Sequence, residues 1–340
     1  MIGKWPLHIL SCLAVLLFAG AGIKAQTRMV FVEYNCENLF DCRHDSLKND
    51  SDFLPEGSNR WTHKRYRTKT NDIARVIQQC GEGGNADGSY HLPDLAVLCE
   101  VENDSTLHAL TRRSLLRGAG YKYVMTQSDD LRGIDVALLY NPLTFRLLSS
   151  QSIRIKRPHG ARPTRDILYV KGLSRSEDTL HIFALHAPSR RGGAEATEHY
   201  RLLTVKQLLS AVDSIRTHDN KEAAIIIAGD FNDYSGNASL KQLCDSGFIE
   251  ASYEAKGKRH IQTGVDGTYK YQGWWNSLDH IFLSQSLSGK QSGCFILDNQ
   301  WMLEEDPAWG GYKPKRTYTG KFYHKGVSDH LPIVLHLTLN

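Results

Sequence analysis

Short apolar, β-branched runs return at intervals along the chain: Met29 to Tyr34, Leu95 to Leu98, Val136 to Tyr140, Leu180 to Leu185, Ala223 to Ala228, His280 to Leu283 and Ile333 to Leu339. Runs of this length and composition, bounded by turn-forming residues, predict β-strands. Two longer stretches, Lys64 to Gln79 and Glu195 to Ile215, follow a helical period instead. In the second, Leu202, Leu203, Val205, Leu208, Leu209 and Val212 share one face. Strands and helices interleave, but strands are the more numerous. That balance favours two sheets packed face to face with helices outside over a single doubly wound sheet. No Pro/Gly/Ser-rich linker, tandem repeat or low-complexity tract divides the chain, which predicts one domain over residues 26–340.

The N-terminus breaks this pattern. Lys4 precedes an apolar run from Ile9 to Ala19, and the small residues Gly20, Ala21, Gly22 and Ala25 follow. This layout predicts a signal peptide over residues 1–25 and an exported chain, periplasmic or extracellular after cleavage near Ala25. No later segment approaches the roughly 20 apolar residues of a transmembrane helix. The formal charge of +4 includes Lys4 and Lys24. The processed chain is thus nearly neutral, and charge alone does not argue for non-specific duplex binding. Apart from Cys12, the cysteines are Cys36, Cys42, Cys80, Cys99, Cys244 and Cys294. Export permits disulfides among them, but Cys36 and Cys99 sit in apolar runs where cysteine behaves as a small buried hydrophobe. No CxxC pair is present to suggest a thiolate zinc site.

Polar side chains gather where the predicted strands end. The first runs into Asn35-Cys36-Glu37-Asn38, and Leu95-Ala96-Val97-Leu98-Cys99 runs into Glu100. Ala224 to Ala228 runs into Gly229-Asp230-Phe231-Asn232, which sets an acid and an amide two residues apart, facing one cleft if extended geometry persists. A turn would use the same residue types, and caps account for single carboxylates equally well. Leu180 to Leu185 ends at His186, with Arg190 and Arg191 just beyond, a combination suited to phosphate. Two Asp-His dipeptides, Asp279-His280 and Asp329-His330, open the last two predicted strands. Neighbouring side chains on a strand face opposite ways, so neither dipeptide is expected to pair internally. Asp279 is expected instead to orient His330 across strands, leaving Asp329 free to face a metal.

Taken in order, Asn-x-Glu, strand-Glu, strand-His, Gly-Asp-Phe-Asn, Asp-His-Ile and Ser-Asp-His resemble the endonuclease/exonuclease/phosphatase superfamily, over nearly all of the chain past residue 25. The resemblance implies an α+β fold of DNase I-like type: a four-layer αββα sandwich of two packed mixed β-sheets flanked by helices. It further implies Asn35, Glu37, Glu100 and Asp329 as the metal set. His186, Asp230, Asn232, Asp279 and His330 take the catalytic roles, with Asp279 and His330 as an acid–histidine pair. Oxygen ligands suit Mg2+, or else Mn2+ or Ca2+. Either Asp230 or the His330–Asp279 pair would serve as base, and His186, held by Asp135, would protonate the leaving group.

The substrate is less defined. Aromatics before Asp279 and Asp329, among them Trp275, interleave with basic residues including Arg316. With Arg190 and Arg191 they are the expected substrate contacts, a composition that suits nucleic acid, a sugar phosphate or a membrane surface. A phosphodiesterase of extracellular DNA or RNA is the leading expectation. A phosphatase or sphingomyelinase-type hydrolase of phospholipid or inositol phosphate is the alternative, and a catalytically dead binding module the third. A monomer without a stable protein partner is expected.

Overall fold

A computed structural model describes residues 26–81, 90–219 and 221–339. The signal peptide expected over residues 1–25 lies outside these. Two six-stranded mixed sheets form the centre. In spatial order the first contains Gln291–Ile296, Ile333–Leu339, Thr27–Leu39, Leu95–Val101, Asp135–Tyr140 and Lys122–Met125. The second contains Phe145–Ile153, Ile167–Ser174, Thr179–His186, Ala224–Asp230, Asp279–Leu283 and Ile249–Glu250. Each sheet has one parallel pair at its middle, Thr27–Leu39 with Leu95–Val101 and Thr179–His186 with Ala224–Asp230. All other sheet pairings are antiparallel.

This is the expected two-sheet sandwich, and every predicted strand is present. The central strands are buried on both faces, which is why they read as unbroken apolar runs rather than alternating ones. The helix Ala194–His218 packs Val205, Leu208 and Val212 onto the second sheet through Phe183, Leu185, Ile225 and Ile227. The helix His63–Gly81 buries Ile73, Val76 and Ile77 in the larger core with the first sheet. The periodicity missed Phe145–Ile153, an edge strand with the mostly polar sequence FRLLSSQSI and an exposed face. None of the six cysteines of the described residues is in a disulfide, and Cys36, Cys80 and Cys99 are fully buried in the larger core. Among the described residues, no helix is long and apolar enough to cross a membrane.

Candidate active site

The topology collects the polar strand ends on one edge. Both central parallel pairs deliver their C-terminal ends there, and the antiparallel strand Asp279–Leu283 delivers its first residue. His186 pairs in register with Asp230, and Asp230 with Asp279, so the three stand in a row across adjacent strands. Cross-strand neighbours project from the same face, so alignment of backbone alone gathers these side chains. Gly229 permits the close approach. A Cβ there would lie 1.8 Å from the Leu185 carbonyl oxygen, and the backbone holds φ at +147°.

The first sheet aims its residues by local irregularity. Pairing registers slip between Asn35 and Leu39 and between Cys99 and Val101. Glu37, Asn38, Glu100 and Asn232 all occupy the left-handed region, with φ of 47°, 56°, 61° and 52°. Such conformations are costly for residues with a Cβ and persist where neighbours enforce them. Asn35 Oδ1 accepts from Glu37 N at 2.9 Å, and Glu100 Oε2 accepts from Asn38 N at 2.8 Å, fixing both bulges.

The expected acid–histidine pair is formed: Asp279 Oδ2 lies 2.6 Å from His330 Nδ1, although 51 residues separate them. Asp230 adjoins them, and one ligand atom from each of Asp230, Asp279 and His330 falls within 4.8 Å of the others. Asn35 Nδ2 donates to Asp230 Oδ2 at 2.9 Å, and the Asn232 N–H donates to Asp230 Oδ1 at 2.8 Å. Burial, then the neighbouring Asp279 charge, pushes the Asp230 carboxyl up to about 7. Burial presses His330 the other way. The Asp279 carboxylate outweighs it and, with Asp329 and Asp230, holds the imidazole well above its ordinary range. The imidazolium form of His330 is thereby favoured, and Tyr269 packs against its ring.

His186 Nε2 lies 3.5 Å from Asp230 Oδ2, as a member of the row. The expected Asp135 contact is absent: Asp135 accepts from Thr126 Oγ1 and Ser128 N, and His186 Nδ1 is buried without a hydrogen-bond partner among the described residues. Burial, then Arg165 and Arg132, drives the His186 pKa well below normal. The lowered pKa disfavours the charged ring that would supply a leaving-group proton. The neutral ring can still donate a hydrogen bond.

The four residues assigned to metal converge on one side, but not bare. Lys69, fully buried on the His63–Gly81 helix, donates to the Glu37 carbonyl at 2.6 Å, Thr317 Oγ1 at 2.6 Å and Val327 O at 2.8 Å. Its ammonium feels the charges of Glu37, Asp329 and Glu100 together. Glu37 Oε2 accepts from Thr317 N at 2.6 Å, and burial, then Asp329, raises its pKa to about 7. Asp329 is not free, as the sequence suggested, because the Arg316 guanidinium is hydrogen-bonded to it and stands 3.9 Å from Glu37. Arg316, expected as a substrate contact, thus stands against the site carboxylates Asp329 and Glu37. Arg132 lies 3.4 Å from Glu100.

Among the described residues the side chains close enough together to hold a cation are Asp230, Asp279 and His330, while Glu37, Glu100 and Asp329 form no such group. Burial, then neighbouring like charge, raises Asp230 and Glu37 to about 7, and a cation on oxygen ligands would offset that charge.

The remaining substrate candidates separate into two hollows. The Arg190 guanidinium lies 4.2 Å over the ring of Tyr234, and Tyr234 and Trp275 line one hollow of about 520 Å³. Arg191 lines a different cleft of about 720 Å³. Sequence reasoning missed Lys69, Arg165 and Glu33. Arg165 donates to the backbone carbonyls of His186 at 3.2 Å and Ala187 at 2.7 Å, and Asn232 Nδ2 donates to the same Ala187 oxygen at 3.0 Å. Glu33 is fully buried with neither carboxyl oxygen hydrogen-bonded among the described residues. Burial, then Asp279 and Asp230, raises its pKa well above normal. Its place inside the apolar run Met29 to Tyr34 was the available signal, since a carboxyl there has no solvent to face.

A mixed-sheet αββα sandwich with an acid–histidine edge defines the DNase I-like class of α+β proteins. The chain belongs to the endonuclease/exonuclease/phosphatase family, whose model matches residues 30–339. An endonuclease/exonuclease/phosphatase family protein from Bacteroides thetaiotaomicron is similar in structure, with a TM-score of 0.61 at 16% identity, covering 93% of this chain and 96% of that one. A mannosyl-6-phosphatase from the same organism gives 0.57 at 16% identity, covering 92% and 100%. The human Nocturnin catalytic domain with bound sulfate gives 0.53 at 16% identity, covering 92% and 98%. No curated protein matches. At such identities the likeness shows the fold, and family membership supports a phosphoester hydrolase.

Proposed function

We propose that this chain is an exported, divalent-metal-dependent phosphodiesterase acting on extracellular nucleic acid. The observation that carries the hydrolytic reading is the buried convergence of Asp230, Asp279 and His330 within 4.8 Å, beside Asn35 and His186. Asn35, Glu37, Glu100 and Asp329 are the residues assigned to hold the cation, with Mg2+ the leading choice and Mn2+ or Ca2+ the others. When bound, a hard cation offsets the negative charge that resists attack on a phosphate ester and neutralises the leaving oxygen.

The protein's own groups divide the rest of the work. Asp230, held at about 7 by burial and Asp279, is poised to take a proton from an attacking water at neutral pH. Asn35 Nδ2 and the Asn232 N–H fix the orientation of its carboxylate. His330, kept charged and oriented by Asp279, donates to a phosphoryl oxygen as negative charge develops. His186, neutral, supplies a further hydrogen bond rather than a proton. Of the two candidate bases left open by the sequence we favour Asp230, since the raised pKa of His330 makes its neutral form the less available one.

The test uses protein lacking residues 1–25, with bis(4-nitrophenyl) phosphate, single-stranded DNA, RNA, sphingomyelin and mannose 6-phosphate, each with Mg2+ and with chelator. Hydrolysis of the diesters in Mg2+ and its loss in chelator are expected. Asp230→Ala, Glu100→Ala and His330→Ala should each slow turnover at least about a hundredfold. Faster hydrolysis of the monoester or of sphingomyelin than of nucleic acid would overturn the substrate assignment, and wild-type rates in a variant would overturn that residue's role.

A further inference from the structure

The cleft of about 720 Å³ beside the site is lined by Arg132, Arg157, Arg162, Arg165 and Arg191 against a single carboxylate, Asp130. The chain as a whole carries a formal charge of only +4. The cleft is thus locally cationic in a chain that is close to neutral overall, and the field of a concave basic surface focuses anions into it. The cleft adjoins the catalytic residues. Arg165 in its wall donates to the His186 and Ala187 carbonyls, Arg132 stands against Glu100, and Pro188 and Ser189 in its rim come two and three residues after His186.

Its charges are positioned, not loose. The Arg157 guanidinium stacks on Tyr200 at 3.8 Å and donates to the Arg162 carbonyl. Arg165, 7% exposed, is tied to Asp130 at 3.3 Å. Two donors in the lining remain unused: Arg157 Nε and Thr164 Oγ1 are buried without a hydrogen-bond partner among the described residues, and Thr164 as a whole is only 7% exposed. Buried donors left unpaired, next to guanidinium groups in mutual repulsion, are costly unless an anion completes them. The 25-residue helix Ala194–His218 also begins at this cleft with no side-chain cap on its first turn, and Thr197 of that turn lines the wall.

We propose that this cleft is a second anion site that seats another phosphate of the substrate while the scissile one occupies the Asp230–His330 hollow. The inference rests on the hydrolase reading for its catalytic half, and it narrows the substrate to molecules that carry at least two phosphates, such as an oligonucleotide strand. A substrate with one phosphate leaves the cleft unfilled.

Binding and turnover separate the two readings. Anisotropy of a fluorescein-labelled thymidine hexanucleotide, measured in chelator so that no hydrolysis occurs, reads the cleft. The double variant Arg157→Ala/Arg162→Ala should bind at least about tenfold more weakly and lose about 0.7 from the log–log salt slope for each phosphate contact removed. Its kcat/KM on bis(4-nitrophenyl) phosphate, which has one phosphate, should stay within about twofold of wild type. Arg162→Gln, at an exposed position, should weaken binding without altering the melting temperature, and Arg157→Lys/Arg162→Lys should recover most of it. Unchanged hexanucleotide affinity in the double variant would overturn the proposal, as would equal losses on hexanucleotide and on the single-phosphate ester. Competition by inositol hexakisphosphate in the same assay distinguishes the source. Displacement at lower concentration than unlabelled hexanucleotide identifies a compact polyphosphate, the reverse a strand, and either supports the two-phosphate site. Arginine-dependent binding in a protein that hydrolyses no diester with any divalent ion would sink the hydrolase reading and leave the anion site standing.

Discussion

Glu33 places a fully buried carboxyl near Asp279 and Asp230, where no donor among the described residues meets it. It is a neutral acid there, because an anion would be expelled by both the low dielectric and two nearby carboxylates. Glu33→Gln keeps shape and neutrality and should retain activity within about threefold and melting within ~2 °C, whereas Glu33→Lys should fail to fold. A large loss in the glutamine variant would show that Glu33 works as a charge. The same crowding makes the metal-free protein sensitive to pH. Asp230 and Glu37 titrate at about 7 in the fold but near ~4 when unfolded. Between those values the folded form binds the extra protons, so stability is full at the acid end and is lost as pH rises through about 7. His186 works in the opposite sense, and its contribution is complete above its unfolded value near ~6.5. Differential scanning fluorimetry in chelator should therefore show the melting temperature falling by at least ~3 °C from pH 6.5 to 8, and Mg2+ should reverse most of the fall. A flat or rising profile would contradict the placement of these carboxylates.

At the scale of elements, the catalytic row depends on how closely two strands approach. Gly229→Ala drives a Cβ into the Leu185 carbonyl and removes a backbone conformation that other residues rarely adopt. It should cost several kcal/mol, visible as a lower denaturant midpoint, and separate His186 from Asp230, so that any folded fraction turns over at least about tenfold more slowly. Near-normal activity would show that the row tolerates looser pairing. Strand ends were legible in the sequence because their apolar cores are buried on both faces and stop abruptly at Asn35, Glu100, His186 and Asp230. The Asp279–His330 pairing was legible because adjacent residues of a strand cannot face the same way. What could not be read was how the bulges turn Glu37 and Glu100, since backbone twist at a register slip leaves no mark on residue type. Nor could the partners of Asp329 and Glu37 be foreseen. Lys69 sits on a helical face that reads as solvent, and Arg316 follows a basic stretch with no periodic signal.

For the molecule as a whole, tertiary packing rather than covalent bridging supplies the stability. Among the described residues six cysteines lie outside any disulfide, three of them fully buried, so in protein lacking residues 1–25 reducing agent should leave the melting temperature unchanged, and thiol titration should find the full six only after denaturation. A melting point lowered by reductant would reveal a bridge in the protein as produced. The site is also an arrangement of the entire chain. The first strand pairs with the last, Thr27 opposite Leu339. Lys69, from the first helix, ties Glu37 of the opening strand to Thr317 and Val327 near the end. A nascent polypeptide that has not yet released its final thirty or so residues therefore possesses neither His330 nor the closing strand. The acid–histidine pair therefore cannot assemble before the segment carrying His330 and the strand Ile333–Leu339 has joined the sheet.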